Sequence, residues 1–124
     1  MSHIVLKDES FEVVGICMEV HRELGMGFKE SVYKEALEIE FEKRKIGFER
    51  EKHFRIYYKN HLLKQSYKAD FIVFDQIVLE VKAVSMIVEP FTIQTRNYLK
   101  ASGLKLGIIA NFGQTSFIQK RIVF

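Results

Sequence analysis

Asp70, Glu80 and Lys82 are the residues of this chain best suited to chemistry. They lie in the stretch Tyr67 to Val84, YKADFIVFDQIVLEVKAV, which is otherwise rich in branched and aromatic side chains. Such a stretch predicts two adjacent strands buried on both faces, joined by a turn at Asp75-Gln76. A charge in that setting costs several kcal/mol unless it is paired or binds a metal. Two carboxylates beside a lysine on a rigid sheet form a site for a hard cation. Mg²⁺ takes oxygen ligands and keeps several waters, and a metal so held can activate water and brace a phosphate. The plainer alternative is a cross-strand ion pair of Asp70 with Lys82 and a partly exposed Glu80.

Register decides whether the three meet. Glu80 and Lys82 are two apart and share a strand face. A two-residue loop at Asp75-Gln76 pairs Phe71 with Glu80 and turns Asp70 to the opposite face. A three-residue loop, Asp75 to Ile77, pairs Phe74 with Val78, Ile72 with Glu80 and Asp70 with Lys82. All three charges then project from one face, and that register is the expected one.

The elements that frame this pair of strands follow from periodicity and punctuation. A first helix, capped by Asp8 or Ser10, runs to about Leu24, with Val13, Cys17, Val20 and Leu24 inward and Gly25 as its stop. Gly15 suits a close packing contact, and His21 at the stripe's edge reads as a structural histidine. A second helix covers about Lys29 to Lys45, with Tyr33, Leu37 and Phe41 as its core stripe. Glu30 lies on the same stripe. It either closes a capping box with Gly27 as N-cap or points at the sheet beside Asp70 and Glu80. A half-exposed strand, Phe48 to Tyr58, turns at Lys59-Asn60 into the strand that leads to Asp70, and His53 on it is a surface residue.

Pro90 opens a third helix that ends near Ser102, with Gly103 beyond it. Phe91, Gln94, Tyr98 and Ala101 fall on one face. Gln94 on that stripe either meets something polar or bonds a strand-edge backbone. Leu104 to Asn111 is a buried strand, and Gly113-Gln114-Thr115 turns into a last one, Ser116 to Phe124.

The chain has 124 residues, 48% of them hydrophobic, with eleven Phe and one Pro, so a single domain over 1–124 with a full core is expected. No apolar run approaches the roughly 20 residues of a membrane span, and no signal-peptide h-region opens the chain. Cys17, the single cysteine, reads as a small core residue, and the default location is cytoplasmic. Net charge is only +3, but Pro90 to Phe124 contains no Asp or Glu and carries Arg96, Lys100, Lys105, Lys120 and Arg121. Such a one-signed surface favours a polyanion, although a solvated basic face gives the same count. The sequence shows no repeats, phosphate-binding glycine loop, zinc spacing or Ser/His/Asp arrangement.

Gly27-Phe28-Lys29-Glu30-Ser31-Val32-Tyr33 matches G-x-x-E-x-x-Y. Its flanks, VHRELGMGFKESVYKEAL, resemble the signature of the GxxExxY proteins of the PD-(D/E)XK nuclease-like superfamily. The resemblance continues through YKADFIVF and IVLEVKAV, then QTRNYLKASGLKLGIIANFG, then KRIV. Ala69 stands where many members have proline. The resemblance implies an α/β fold with a restriction-endonuclease-like core, a central mixed β-sheet flanked by helices. It implies Asp70 and Glu80 as ligands of Mg²⁺ or Mn²⁺, joined by the Val81 carbonyl, with Glu30 beside the metal. Lys82 then positions the attacking water, and Gln94 and Tyr98 form the Q-x-x-x-Y pattern of several nuclease branches.

The leading expectation is a Mg²⁺-dependent nuclease acting on nucleic acid, DNA foremost, with Arg96, Lys100 and Lys105 as backbone contacts. The alternative is a non-catalytic module that binds nucleic acid or assembles with a protein partner, a homodimer included. No membrane association is expected.

Overall fold

A computed structural model of the chain describes residues 4–124. Its elements follow the expected order. Helices α1 (Lys7–Leu24) and α2 (Glu30–Lys43) precede strands β1 (Phe48–Tyr58), β2 (His61–Val73) and β3 (Ile77–Lys82). Helix α3 (Glu89–Ser102) then leads to β4 (Leu106–Asn111) and β5 (Ile118–Val123). The five strands form one sheet in the order β1-β2-β3-β4-β5. Only β3 and β4 run parallel, joined through α3, and the other neighbours are antiparallel. The expected α/β architecture, a mixed sheet flanked by helices, is present.

The helices divide between the two faces. Val13, Ile16, Cys17, Tyr33, Leu37 and Phe41 of α1 and α2 pack on Phe71, Val73, Leu79, Val81 and Ile108. Tyr98 and Leu99 of α3 pack on Ile72, Val78, Ile109 and Ile122 across the sheet. The alternation along β3 therefore sends Leu79 and Val81 to one face, with Val78 on the other.

Several details differ from expectation. Neither Asp8 nor Ser10 caps α1; the helix starts at Lys7, and the Ser10 hydroxyl donates back to the Lys7 carbonyl at 3.0 Å. Gly15 makes no close packing, since a Cβ there would meet nothing within 4 Å. The buried face of α3 is Thr95, Tyr98 and Leu99, while Gln94 and Ala101 are exposed. Threonine and leucine at those positions fill the space over the sheet, which turns Gln94 outward. His21 is structural as expected: its Nε2 donates to the Gln114 carbonyl at 2.8 Å. Cys17 is fully buried, and burial pushes its thiol up to about 12. Among the described residues no helix is long and apolar enough to cross a membrane.

The largest correction is the β2–β3 register. The observed pairs are Phe71–Leu79, Ile72–Val78 and Val73–Ile77. The turn is Phe74-Asp75-Gln76, with φ of 58° and 56° at Phe74 and Asp75. Ile77 is fully buried, so it belongs to the strand, and leaving it in a loop would forfeit its burial. The turn moves back one residue and the pairing slips by two. Continued by one pair, this register sets Asp70 opposite Glu80 rather than Lys82. A slip of two preserves parity, but alternation along β2 breaks beside Asp70: Ala69 and Ile72 both pack on the α3 side and Phe71 on the other. The expectation of three charges on one face is therefore corrected, since Asp70 meets Lys34 of α2 and Lys82 lies over Phe91 of α3.

The end of β3 is clamped to the end of β4. The Phe112 amide donates to the Lys82 carbonyl at 2.8 Å. Asn111, fully buried, accepts from the Val84 and Gly113 amides and donates to the Val84 carbonyl, each at 3.0 Å. A Cβ on Gly113 would lie 2.3 Å from the Val84 nitrogen. Gly113→Ala is therefore expected to destabilise the protein by roughly 1–3 kcal/mol, the usual cost of overpacking. Gly15→Ala, in an open helical position, is expected to stabilise it by about 0.5–1 kcal/mol. Thermal melts of the two variants check both signs, and equal melting temperatures would contradict the clamp.

Candidate metal and phosphodiester site

The site forms where β2 and β3 part. Backbone pairing ends at Phe71–Leu79, and side chains close the next step. The Asp70 amide donates to Glu80 Oε2 at 2.8 Å, and the Val81 amide donates to Asp70 Oδ2 at 2.8 Å. Each carboxylate thus accepts a backbone bond from the opposite strand, which fixes both acids at the fork. β1 is irregular at the same level: Arg50–Phe71 and Lys52–Ala69 pair, and Glu51 between them has φ 56°.

Glu80 is 3% exposed. Burial first, and the Asp70 charge second, push its carboxyl up to about 8. The Tyr98 phenol, packed with Ile72 and Val78 next to this step of the strands, is also raised, by burial and then by the negative charge of Glu80 and Asp70. Lys82 points to the α3 side, with its ammonium 4.5 Å from the centre of the Phe91 ring. It does not pair with Asp70. That partner is Lys34 on α2, whose Nζ is 2.7 Å from Asp70 Oδ1. Lys34 escaped the sequence reading. The available signal was its place four residues after Glu30, on the same ridge of α2.

Glu30 is the first residue of α2, and the N-cap is Lys29, so no capping box forms. Its carboxylate accepts from the Ala83 amide at 3.4 Å, one residue past β3. The conformation at Gly27, φ 112°, leaves the α1–α2 link in a region that favours glycine. Tyr33 completes the motif: its hydroxyl donates to the Gly25 carbonyl at 2.6 Å and its ring stacks on Phe112 at 4.6 Å. The G-x-x-E-x-x-Y spacing therefore ties α2 to the link before it and to the sheet end that carries Lys82.

The structure brings Asp70, Glu80 and Tyr98 together, with Lys82 two residues along β3. Glu30 stands at the rim on Ala83, and Gln94 lies one turn before Tyr98 on the exposed side of α3. Arg96, Lys100 and Lys105 are exposed. Among the described residues no three Asp, Glu, His or Cys side chains form a ready-made cage for a metal. Two adjacent carboxylates suffice for Mg²⁺, which commonly binds through one or two carboxylates and keeps waters or substrate phosphates as its other ligands. A buried Glu80 raised by its neighbour's charge is the chemistry that a cation relieves. The donor set fits.

A family model described as the PD-(D/E)XK nuclease superfamily matches residues 7–122. The chain belongs to the PD-(D/E)XK nuclease superfamily. No curated protein matches it in sequence. Among solved structures, the crystal structure of SSO0001 is similar with a TM-score of 0.60 and 19% identity, over 75% of this chain and 50% of that one. That likeness concerns the fold, and the PD-(D/E)XK chain described here spans half the length of that protein.

The raised carboxyl of Glu80 gives this superfamily member a stability signature. The folded protein retains a proton that the unfolded chain releases between about 4.5 and about 8. In that window the native state binds more protons, so stability falls as pH rises through it and is greatest below it. Thermal melts between the two limits are expected to show this decline in the wild type and a flatter profile in Glu80→Gln. Parallel profiles would contradict the assignment.

Proposed function

We propose that the protein is a metal-dependent nuclease of the GxxExxY branch, hydrolysing phosphodiester bonds of nucleic acid, DNA foremost. The observation that carries this reading is the bridged pair of Asp70 and Glu80 at the β2–β3 fork, Glu80 buried and Asp70 partly exposed, with Lys82 two residues beyond Glu80. Asp70 and Glu80 are the residues that would hold a Mg²⁺ or Mn²⁺ ion, with the Val81 carbonyl and Glu30 as the further proposed ligands. When bound, the ion supplies Lewis-acid stabilisation for the phosphate and a lowered pKa for water. Lys82, held over the Phe91 ring, orients the attacking water and offsets charge on the phosphate oxygens. Tyr98 fixes the Glu80 carboxyl, and Gln94 meets the substrate from the exposed side of α3. Arg96, Lys100 and Lys105 hold the phosphate backbone. We place this activity in the cytoplasm, within a single domain over 1–124.

Lys34 gives the metal-free protein a way to hold Asp70 as a charged group. It must be displaced or shared when a divalent cation binds. That contact also favours the second reading, a non-catalytic nuclease-like module in which Lys34 permanently occupies the place of the ion, and which binds nucleic acid or assembles as a homodimer.

Two measurements separate the readings. Millimolar Mg²⁺ or Mn²⁺ is expected to raise the melting temperature of the wild type, by about 1.4 kcal/mol of stability when metal is tenfold above its Kd. Asp70→Ala is expected to erase the gain, and Lys34→Met to enlarge it. Glu30→Gln is expected to reduce it. Cleavage of plasmid or oligonucleotide with either metal is expected in the wild type and lost in Asp70→Ala. No metal-induced shift and no cleavage would leave the binding module. Binding should weaken steeply with salt, and neutralising Arg96 and Lys100 together should reduce that slope.

A further inference from the structure

Beyond the fork, the β1–β2 hairpin continues as an arm with no strand of the sheet on the far side of β2. Residues 53–69 carry Arg55, Lys59, Lys64 and Lys68 and no Asp or Glu. Tyr57 and Tyr58 on this arm are each 60% exposed. The arm is irregular where it matters: between the pairs Arg55–Ser66 and Tyr57–Leu62, β1 has one residue and β2 has three. Bulges of this kind re-aim side chains. Arg55, Tyr57 and Tyr67 of the arm and Asn97 and Lys100 of α3 line a cleft of about 420 Å³. Small-ligand pockets run from roughly 300 Å³ upward, so the cleft admits one nucleotide. It also adjoins the candidate site, because Tyr67 meets Tyr98 edge-on at 5.0 Å and Tyr98 packs with Ile72 and Val78, two residues from Asp70 and Glu80 on their strands.

We propose that this cleft takes a nucleotide of a single, unpaired strand next to the scissile phosphate, its base on Tyr57 and its backbone between Arg55 and Lys100. The proposal rests on the nuclease reading for the word scissile and deepens it by naming an unpaired strand as the substrate. Stacking on an exposed tyrosine requires a base with a free face, which a duplex does not offer. Flanking cations serve any sugar-phosphate chain. A second copy of the chain is the poorer occupant, since two such arms would bring eight like charges together, four from each.

The test is fluorescence anisotropy of labelled oligothymidylate, oligouridylate and a duplex of equal length, in EDTA so that binding is read without chemistry. The unpaired strands are expected to bind more tightly than the duplex. Tyr57→Ala is expected to weaken that binding roughly five-fold or more, the range for loss of one base stack, and Tyr57→Phe to retain it. Arg55→Gln with Lys100→Gln is expected to reduce the salt slope by roughly 1.4, two phosphates on a single strand. Tyr57 is exposed, so an unchanged melting temperature confirms that its variants are folded. Equal binding of the two unpaired strands supports the proposal through their shared chemistry, and a preference for one supports it and names the sugar. Duplex preference, or wild-type affinity in Tyr57→Ala and in the double variant, overturns it. So does a concentration-dependent dimer abolished by Tyr57→Ala in a protein that binds no oligonucleotide. Metal-dependent cleavage lost in Asp70→Ala but unchanged in Tyr57→Ala would overturn the cleft alone. Tyr57-dependent binding without any cleavage would support the cleft and overturn the nuclease reading.

Discussion

The reciprocal bridge between Asp70 and Glu80 is the constraint on which the surrounding structure depends. Two acids opposed across adjacent strands repel, and burying either one adds a desolvation penalty of several kcal/mol. Two backbone amides, at 2.8 Å each, and the Lys34 ammonium offset that penalty. Glu80 still carries part of it, as its raised carboxyl shows. The bridge replaces ladder bonds that the sheet would otherwise make, so the sheet must open at this step. A site that were only structural would be better served by an apolar pair of the same volume.

Much of this was legible in the sequence. The number and order of elements followed from alternation, glycine stops and Pro90. Asp70 and Glu80 come together because the observed loop has three residues, like the expected one, whereas a loop of two would set Phe71 opposite Glu80. The exact partner did not follow. Whether Asp70 faces Lys82 or Glu80 depends on one turn residue, and Ile77 is apolar enough for a strand but adjacent to the turn. Burial of Ile77 decides it, and burial is a tertiary fact. Lys34 was missed for a similar reason. A lysine on a helix otherwise inspected for its apolar stripe reads as solvent-facing, and only the docking of α2 over the fork shows that its ammonium reaches Asp70. Gln94 was misplaced by one residue, a little over a quarter of a helix turn, because Thr95 rather than Gln94 packs toward the sheet.

The G-x-x-E-x-x-Y spacing acquires a physical meaning from the same docking. Glu30 and Tyr33 are three positions apart, so both lie on one side of α2. Tyr33 reaches back to the Gly25 carbonyl and stacks on Phe112, while Glu30 reaches the Ala83 amide. Phe112 itself donates to the Lys82 carbonyl. The motif therefore fixes the register of α2 against the ends of β3 and β4. Lys34, one turn after Glu30, is thereby set over Asp70. The motif positions the fork as much as it supplies an acid to it.

The fork and the arm are two consequences of one mismatch. β2 has 13 residues and β3 has six, so β3 can pair with only the last part of β2. The remainder of β2 has β1 as its neighbour and must leave the sheet's main plane with it. Where it leaves, backbone groups lose their partners and side chains must satisfy them, which is what Asp70 and Glu80 do. Past that point the arm has no hydrophobic neighbour on its outer faces except α3, and its composition turns basic and aromatic. A longer β3 would remove both features at once: it would pair the backbone at Asp70 and cover the cleft beside Tyr67. The shortness of β3 thus opens the acidic pair to an approaching chain and places a cationic wall beside it.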